Sequence, residues 1–163
     1  GRPADRQPTP PGAAVRLVTP QAAETLAAMG QTIDKAEAVR CGLRGSLPPS
    51  VVAGETATWR LELVNRTSSS LGTVPPRPVK VGARWYRLAD GADLPADGDE
   101  PAALGPQSPI ERVVPPGMRT EVDVLVEAPT EPGRYQVRVA LRQPGSGWFG
   151  VRVQAEVTVK PAD

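Results

Sequence analysis

The sequence predicts an all-β protein: a two-sheet antiparallel sandwich of about seven strands with an N-terminal Pro-rich arm and one amphipathic helix. Three observations predict it. The 20 Pro and 16 Gly spread over 163 residues are too many for a helical bundle and suit short strands joined by turns. After Val39 the apolar period is two, as in Ala57, Trp59, Leu61 and Leu63 against Thr58, Arg60 and Glu62. Finally, Glu131-Pro132-Gly133-Arg134-Tyr135 launches a strand with Tyr135, Val137, Val139 and Leu141 on one face. A tyrosine just after such a turn packs inward while its hydroxyl ties back to upstream backbone.

The elements follow in order. Residues 1–19 form the arm, since Gly1 to Gly12 hold four prolines and little that could build a core. Residues 20–38 form the helix: Thr19 is an N-cap, Pro20 takes the first helical position, and Leu26, Met29, Ile33 and Ala36 recur every three or four residues. Its apolar stripe is thin, and Gly30 weakens it by roughly 1 kcal/mol relative to alanine, so it requires a docking surface. The favoured surface is its own sandwich or a preceding domain; the alternative is a neighbouring protein. The sandwich spans residues 39–163.

Within the sandwich, residues 39–44 are the first strand, and Pro48-Pro49 through Gly54-Glu55 a turn. Residues 56–65 are a half-buried strand with Trp59 inward. After a polar loop and the stiff Pro75-Pro76-Arg77-Pro78, residues 79–88 form a strand in which Val81, Ala83 and the core tryptophan Trp85 share a face. An acidic stretch, residues 90–100, leads to a short strand at residues 110–114. Strands at residues 118–127, from Tyr135 onward, and at residues 151–159 complete the set. Trp59, Trp85 and Tyr135 are the expected aromatic core.

In this order, Leu63-Val64-Asn65-Arg66-Thr67, Pro75-Pro76-Arg77-Pro78-Val79 into Arg84-Trp85-Tyr86, Pro132-Gly133-Arg134-Tyr135 and Gly147-Trp148-Phe149 resemble the immunoglobulin-like accessory domains attached to bacterial glycosyltransferases and other polysaccharide-assembly enzymes. The likeness covers roughly residues 40–160. Similar domains tend to carry an acidic residue and a glycine before the Trp-Phe pair, where this chain has Gln143-Pro144-Gly145-Ser146-Gly147. The resemblance implies a carbohydrate-associated role in the bacterial cell envelope, on a side of the membrane left open, with polysaccharide, an attached glycosyltransferase or another protein of a larger complex as partner. Sandwiches of this type host many functions, so fold carries over more safely than ligand.

Inventory disfavours catalysis. The chain has no His, which removes the commonest general base and the Ser-His and Cys-His arrangements. The lone Cys41 makes neither an internal disulfide nor a zinc site and reads as a buried thiol, with dimerisation as the lesser alternative. No cofactor or metal is expected. Asp93, Asp97, Asp99 and Glu100 are hard oxygen donors that could hold calcium, but Asp-Gly sequences are ordinary turns and that reading is favoured. Asn65-Arg66-Thr67 fits the N-glycan acceptor pattern and reads first as a turn. A net charge of +1 offers no field to attract nucleic acid, and no apolar run approaches the roughly 20 residues of a membrane span. The start at Gly1, without Met, reads as a fragment or processed product.

The aromatic residues carry the functional signal. Trp85 and Tyr86 are adjacent on a strand and face opposite ways. With Trp85 inward, Tyr86 lies on the outer face, flanked by Arg84 and Arg87, where it serves surface packing or stacks on a ligand. Trp148 and Phe149 either plug the end of the core, the favoured reading, or form an exposed loop tip. Arg84, Tyr86, Arg87, Trp148 and Phe149 are the candidate contacts for a polysaccharide or protein. The chain is expected to be a nonenzymatic binding or positioning module; the alternative is a structural subunit whose arm and helix dock on a neighbour.

Overall fold

A computed structural model describes residues 33–73, 77–90, 94–96 and 98–163. The arm, and the predicted helix up to residue 32, lie outside them. The described part of that helix is one turn, α1 (Lys35–Ala38). Asp34 is extended, and its carboxylate accepts the Glu37 N–H at 2.9 Å, so this helical turn starts after Asp34, and Ile33 and Asp34 are not helical where the helix is expected to run through residue 38.

Eight strands follow among the described residues: β1 (Cys41–Arg44), β2 (Ser50–Val52), β3 (Thr56–Asn65), β4 (Lys80–Arg87), β5 (Ala103–Pro109), β6 (Arg119–Glu127), β7 (Gly133–Gln143) and β8 (Gly147–Lys160). They form a three-stranded sheet, β1-β3-β6, and a five-stranded sheet, β2-β8-β7-β4-β5. Every pairing is antiparallel except that of β2 with β8. The chain is an immunoglobulin-like β-sandwich, with the central tryptophan on β4 and the corner tyrosine at the start of β7.

Two elements depart from the sequence reading. Ser50–Val52, within the expected turn, pairs with Thr158–Lys160 at the sheet edge and buries Val51. The strand expected at residues 110–114 is replaced by β5, seven residues earlier in its start. Ile110 and Val114 are buried, but they are spaced by four, and only an isolated bridge joins Leu71 to Val114. β5 holds Pro106 and Pro109, buries only Ser108 fully, and sits at an edge, where a missing N–H costs no interior ladder bond.

The core lies between the sheets. Trp85 is fully buried, its ring 6.0 Å from Trp59 and 5.9 Å from Tyr135, the latter edge-on. Such pairs add about 0.5–1.5 kcal/mol each to the burial of their area. The Tyr135 hydroxyl donates to the Glu131 carbonyl at 2.7 Å, closing the corner that the Pro-Gly turn opens. Asn65 braces the other end: its amide donates to the carbonyls of Ser69 and Val114, while its oxygen accepts from the Thr67 N–H and hydroxyl. Fully buried, this side chain serves the turn rather than a glycan.

Candidate functional site: the outer face of the five-stranded sheet

The outward positions of β4, β7 and β8 bring together Arg84 and Tyr86, then Gln136, Arg138, Ala140 and Arg142, then Trp148 and Arg152. Register places Arg84 directly opposite Arg138, and Arg142 opposite Trp148. Opposed like charges repel; here aromatic faces offset them. The Arg84 guanidinium lies 4.4 Å from the Trp148 ring centre, Arg142 lies 5.9 Å from it, and Arg138 lies 4.6 Å from the Tyr86 ring. Each such contact contributes about 0.5–2 kcal/mol, increasing with desolvation. Arg138 also donates to the Gln136 side-chain oxygen at 2.7 Å and to the Pro95 carbonyl.

Arg84 is 6% exposed, and its Nε has no hydrogen-bond acceptor. Its nearest polar contact is marginal, from Nη1 to the Tyr86 hydroxyl at 3.5 Å. No carboxylate among the described residues pairs with it. Burial holds its pKa below the ordinary arginine value; Tyr86 opposes this, and the Arg138 and Arg152 charges, each a smaller effect than that of Tyr86, add to the lowering.

The opposite outer face is built differently. On the three-stranded sheet Arg60 pairs with Asp123 at 3.0 Å and Glu121 at 3.6 Å, and Glu62 lies between Arg44 and Arg119. That charge ladder is balanced. On the five-stranded sheet, Arg134 meets Glu156 and Asp90 at the corner end.

Between α1 and the β7–β8 hairpin is a cleft of about 300 Å³ lined by Lys35, Arg84, Ser146, Trp148 and Arg152, with Phe149 at its base. Backbone chemistry fixes its rim: the Ile33 N–H donates to the Gln143 side chain at 2.8 Å, and the Ser146 hydroxyl donates to the Ile33 carbonyl. Among the described residues, the charged groups of this lining are all cationic.

The five residues singled out from sequence separate. Arg84 and Trp148 meet at the cleft, and Tyr86 lies on the same sheet face. Tyr86 is buried beneath Arg138 at 3% exposure, so it supports the face from below rather than standing open to solvent. Arg87 lies at the corner instead: it pairs with Glu131, and its guanidinium donates to the Tyr135 hydroxyl and the Pro132 carbonyl, each at 3.2 Å. Trp148 and Phe149 are adjacent on β8 and so split, Phe149 entering the core and Trp148 half-buried on the outer face. Arg138, Arg142, Arg152 and Lys35 escape the sequence reading. The available signal was the polar parity of the tyrosine strand, Arg134-Gln136-Arg138-Ala140-Arg142, which is cationic throughout except at its small and amide positions.

The acidic stretch is partly engaged in structure. Asp90 pairs with Arg134, and the Asp99 carboxylate accepts the Ala96 N–H at 2.8 Å, capping a turn. Asp93 and Asp97 lie outside the described residues. No group of three or more potential metal-ligating side chains occurs among the described residues, and no described helix is long and apolar enough to cross a membrane.

No protein-family model matches the chain, and no curated protein matches it. Solved structures with similar arrangements include a β-glucosidase from Listeria innocua in complex with isofagomine, at 17% identity and TM-score 0.43, covering 75% of this chain and 16% of that one. An alkylpurine DNA glycosylase from Pseudomonas fluorescens is similar at 12% identity and TM-score 0.45, with 85% of this chain and 36% of that one covered. An ASH/PapD-like domain of human CEP192 is similar at 14% identity and TM-score 0.36, with 83% and 95% covered. This chain spans less than a fifth of the β-glucosidase.

Proposed function

We propose that this chain is a nonenzymatic, carbohydrate-associated module that binds or positions polysaccharide for an attached enzyme of a bacterial envelope system. The observation that carries the reading is the outer face of the five-stranded sheet, where Trp148 stands among arginines beside a cleft. Aromatic faces stack on sugar rings, and guanidinium groups donate to hydroxyl and carboxylate oxygens. Among the described residues of the cleft lining the charged groups are Lys35, Arg84 and Arg152, which donate hydrogen bonds to a bound ligand. The residue pattern shared with accessory domains of glycosyltransferases supports the carbohydrate setting.

A glycan array followed by calorimetry on the full chain tests the reading, with Trp148→Ala as the comparison. Binding that Trp148→Ala abolishes without changing the melting temperature supports it. A full chain that binds no glycan but self-associates in light scattering would favour the structural-subunit alternative. For a shortened version in that experiment, the cut belongs before Ile33, because Ile33 is part of the core cluster and bonds to Gln143.

A further inference from the structure

We infer that the cleft between α1 and the β7–β8 hairpin selects an acidic sugar, a uronic acid unit whose carboxylate is held by Arg84, Arg152 and Lys35 while its ring lies against Trp148. This rests on the polysaccharide reading above and specifies the ligand within it.

Three observations converge. Arg84 is nine-tenths buried, lines the cleft, and has an unpartnered Nε and no carboxylate neighbour among the described residues. A buried guanidinium ordinarily has an anion beside it, because desolvating an uncompensated charge is costly. The second observation is the sign of the lining: Lys35 and Arg152 line the same cleft as Arg84 and add positive charge to it, and none of the described lining residues is a carboxylate. The third is size and shape. About 300 Å³ is at the small end of ligand pockets, roughly 300–1,000 Å³, which suits one sugar ring rather than a long oligomer. Trp148 is half-buried at the wall, its ring end close enough to Gly82 that a Cβ there would meet its Cη2 at 3.2 Å. The indole is therefore seated against the sheet and presents a fixed apolar surface beside the charges. A planar guanidinium matches a carboxylate in a two-bond fork, which a neutral hydroxyl cannot reproduce.

The test is calorimetry of the full chain with three probes of equal length: trigalacturonate, its methyl ester and the neutral galactose trimer, with inorganic phosphate at matched ionic strength as a fourth. Trigalacturonate is expected to bind about tenfold or more tightly than the ester, the worth of one charge-assisted contact. Its affinity should also fall as salt rises. Arg84→Met should remove the preference, but this variant risks unfolding. Lys35→Gln with Arg152→Gln changes more accessible positions and should weaken trigalacturonate about tenfold and the neutral trimer less, so that the preference for the acid falls, with circular dichroism checking that the fold is kept. Equal affinity for acid, ester and neutral trimer overturns the inference and leaves the polysaccharide reading intact. Phosphate binding as tightly as trigalacturonate also overturns it, since the ring would then contribute nothing. No binding of any saccharide overturns both.

Discussion

Single side chains at the corner and the core edge set the most direct tests. The Tyr135 hydroxyl donates to the Glu131 carbonyl and accepts from Arg87, so Tyr135→Phe strips two bonds from one atom without changing core volume. We expect a loss of about 1–2 kcal/mol in urea unfolding with an unchanged slope against denaturant. Cys41 provides a pH test. It is 3% exposed, and burial, with a smaller contribution from Glu37, pushes its thiol from 9.0 up to about 12. The folded state thus holds the proton more tightly than the unfolded one. The thiol's contribution to stability is fully present below pH 9 and is lost as the pH rises from 9 towards 12. Chemical denaturation across that range should show a steeper decline for the natural chain than for Cys41→Ala, and alkylation at pH 8 should be slow unless denaturant is added. At the same scale, the sequence makes Trp85 and Tyr135 legible as core because each sits on the apolar parity of its strand. The burial of Tyr86 was not legible: it depends on Arg138, a residue 52 positions away that register places on the neighbouring strand.

At the scale of elements, alternation is a reliable guide where a strand has one face on the core. The strands β3, β6 and β7 therefore emerge within a few residues of their expected limits. It fails at edges. Ser50–Val52 is too short to show a period, and Ala103–Pro109 shows none, because an edge strand gains its place from backbone pairing with β8 or β4 rather than from its own apolar face. The segment from Ile110 to Val114 misleads in the opposite sense, presenting two buried residues but no ladder. Its position is held instead by the Asn65 amide, which donates to the Val114 carbonyl at 2.8 Å. Asn65→Ala removes four hydrogen bonds of a buried group and leaves their partners unsatisfied, so we expect a destabilisation of about 2–4 kcal/mol. Hydrogen exchange should then rise first in residues 66–71, where the brace acts. The short α1 has the reverse arrangement, with its anchor outside itself. Gln143→Ala should release the Ile33 amide from protection while β7 and β8 remain protected.

For the whole molecule, the two sheets close around one aromatic centre. Trp85→Ala should cost about 3–5 kcal/mol as Trp59 and Tyr135 lose their common neighbour. Domains of this kind have about 5–15 kcal/mol in all, so near-ultraviolet circular dichroism should show a large drop in melting temperature or an unfolded chain. The charge arrangement also belongs to this scale. A net charge of +1 conceals two unlike outer faces, one laced by ion pairs and one with arginines set against rings. Composition cannot separate these faces, because the counts of acids and bases carry no positions. By itself the sequence determined the two-sheet class, the aromatic core and the tyrosine corner, since each follows from local parity and turn chemistry within about ten residues of chain. Only the tertiary structure decided which edges carry extra strands, that Trp148 and Phe149 part to opposite faces, and that Arg84, Trp148, Arg152 and Lys35 meet around one cleft. Those outcomes depend on register between strands distant in sequence, where a shift of one residue would turn every side chain to the other face.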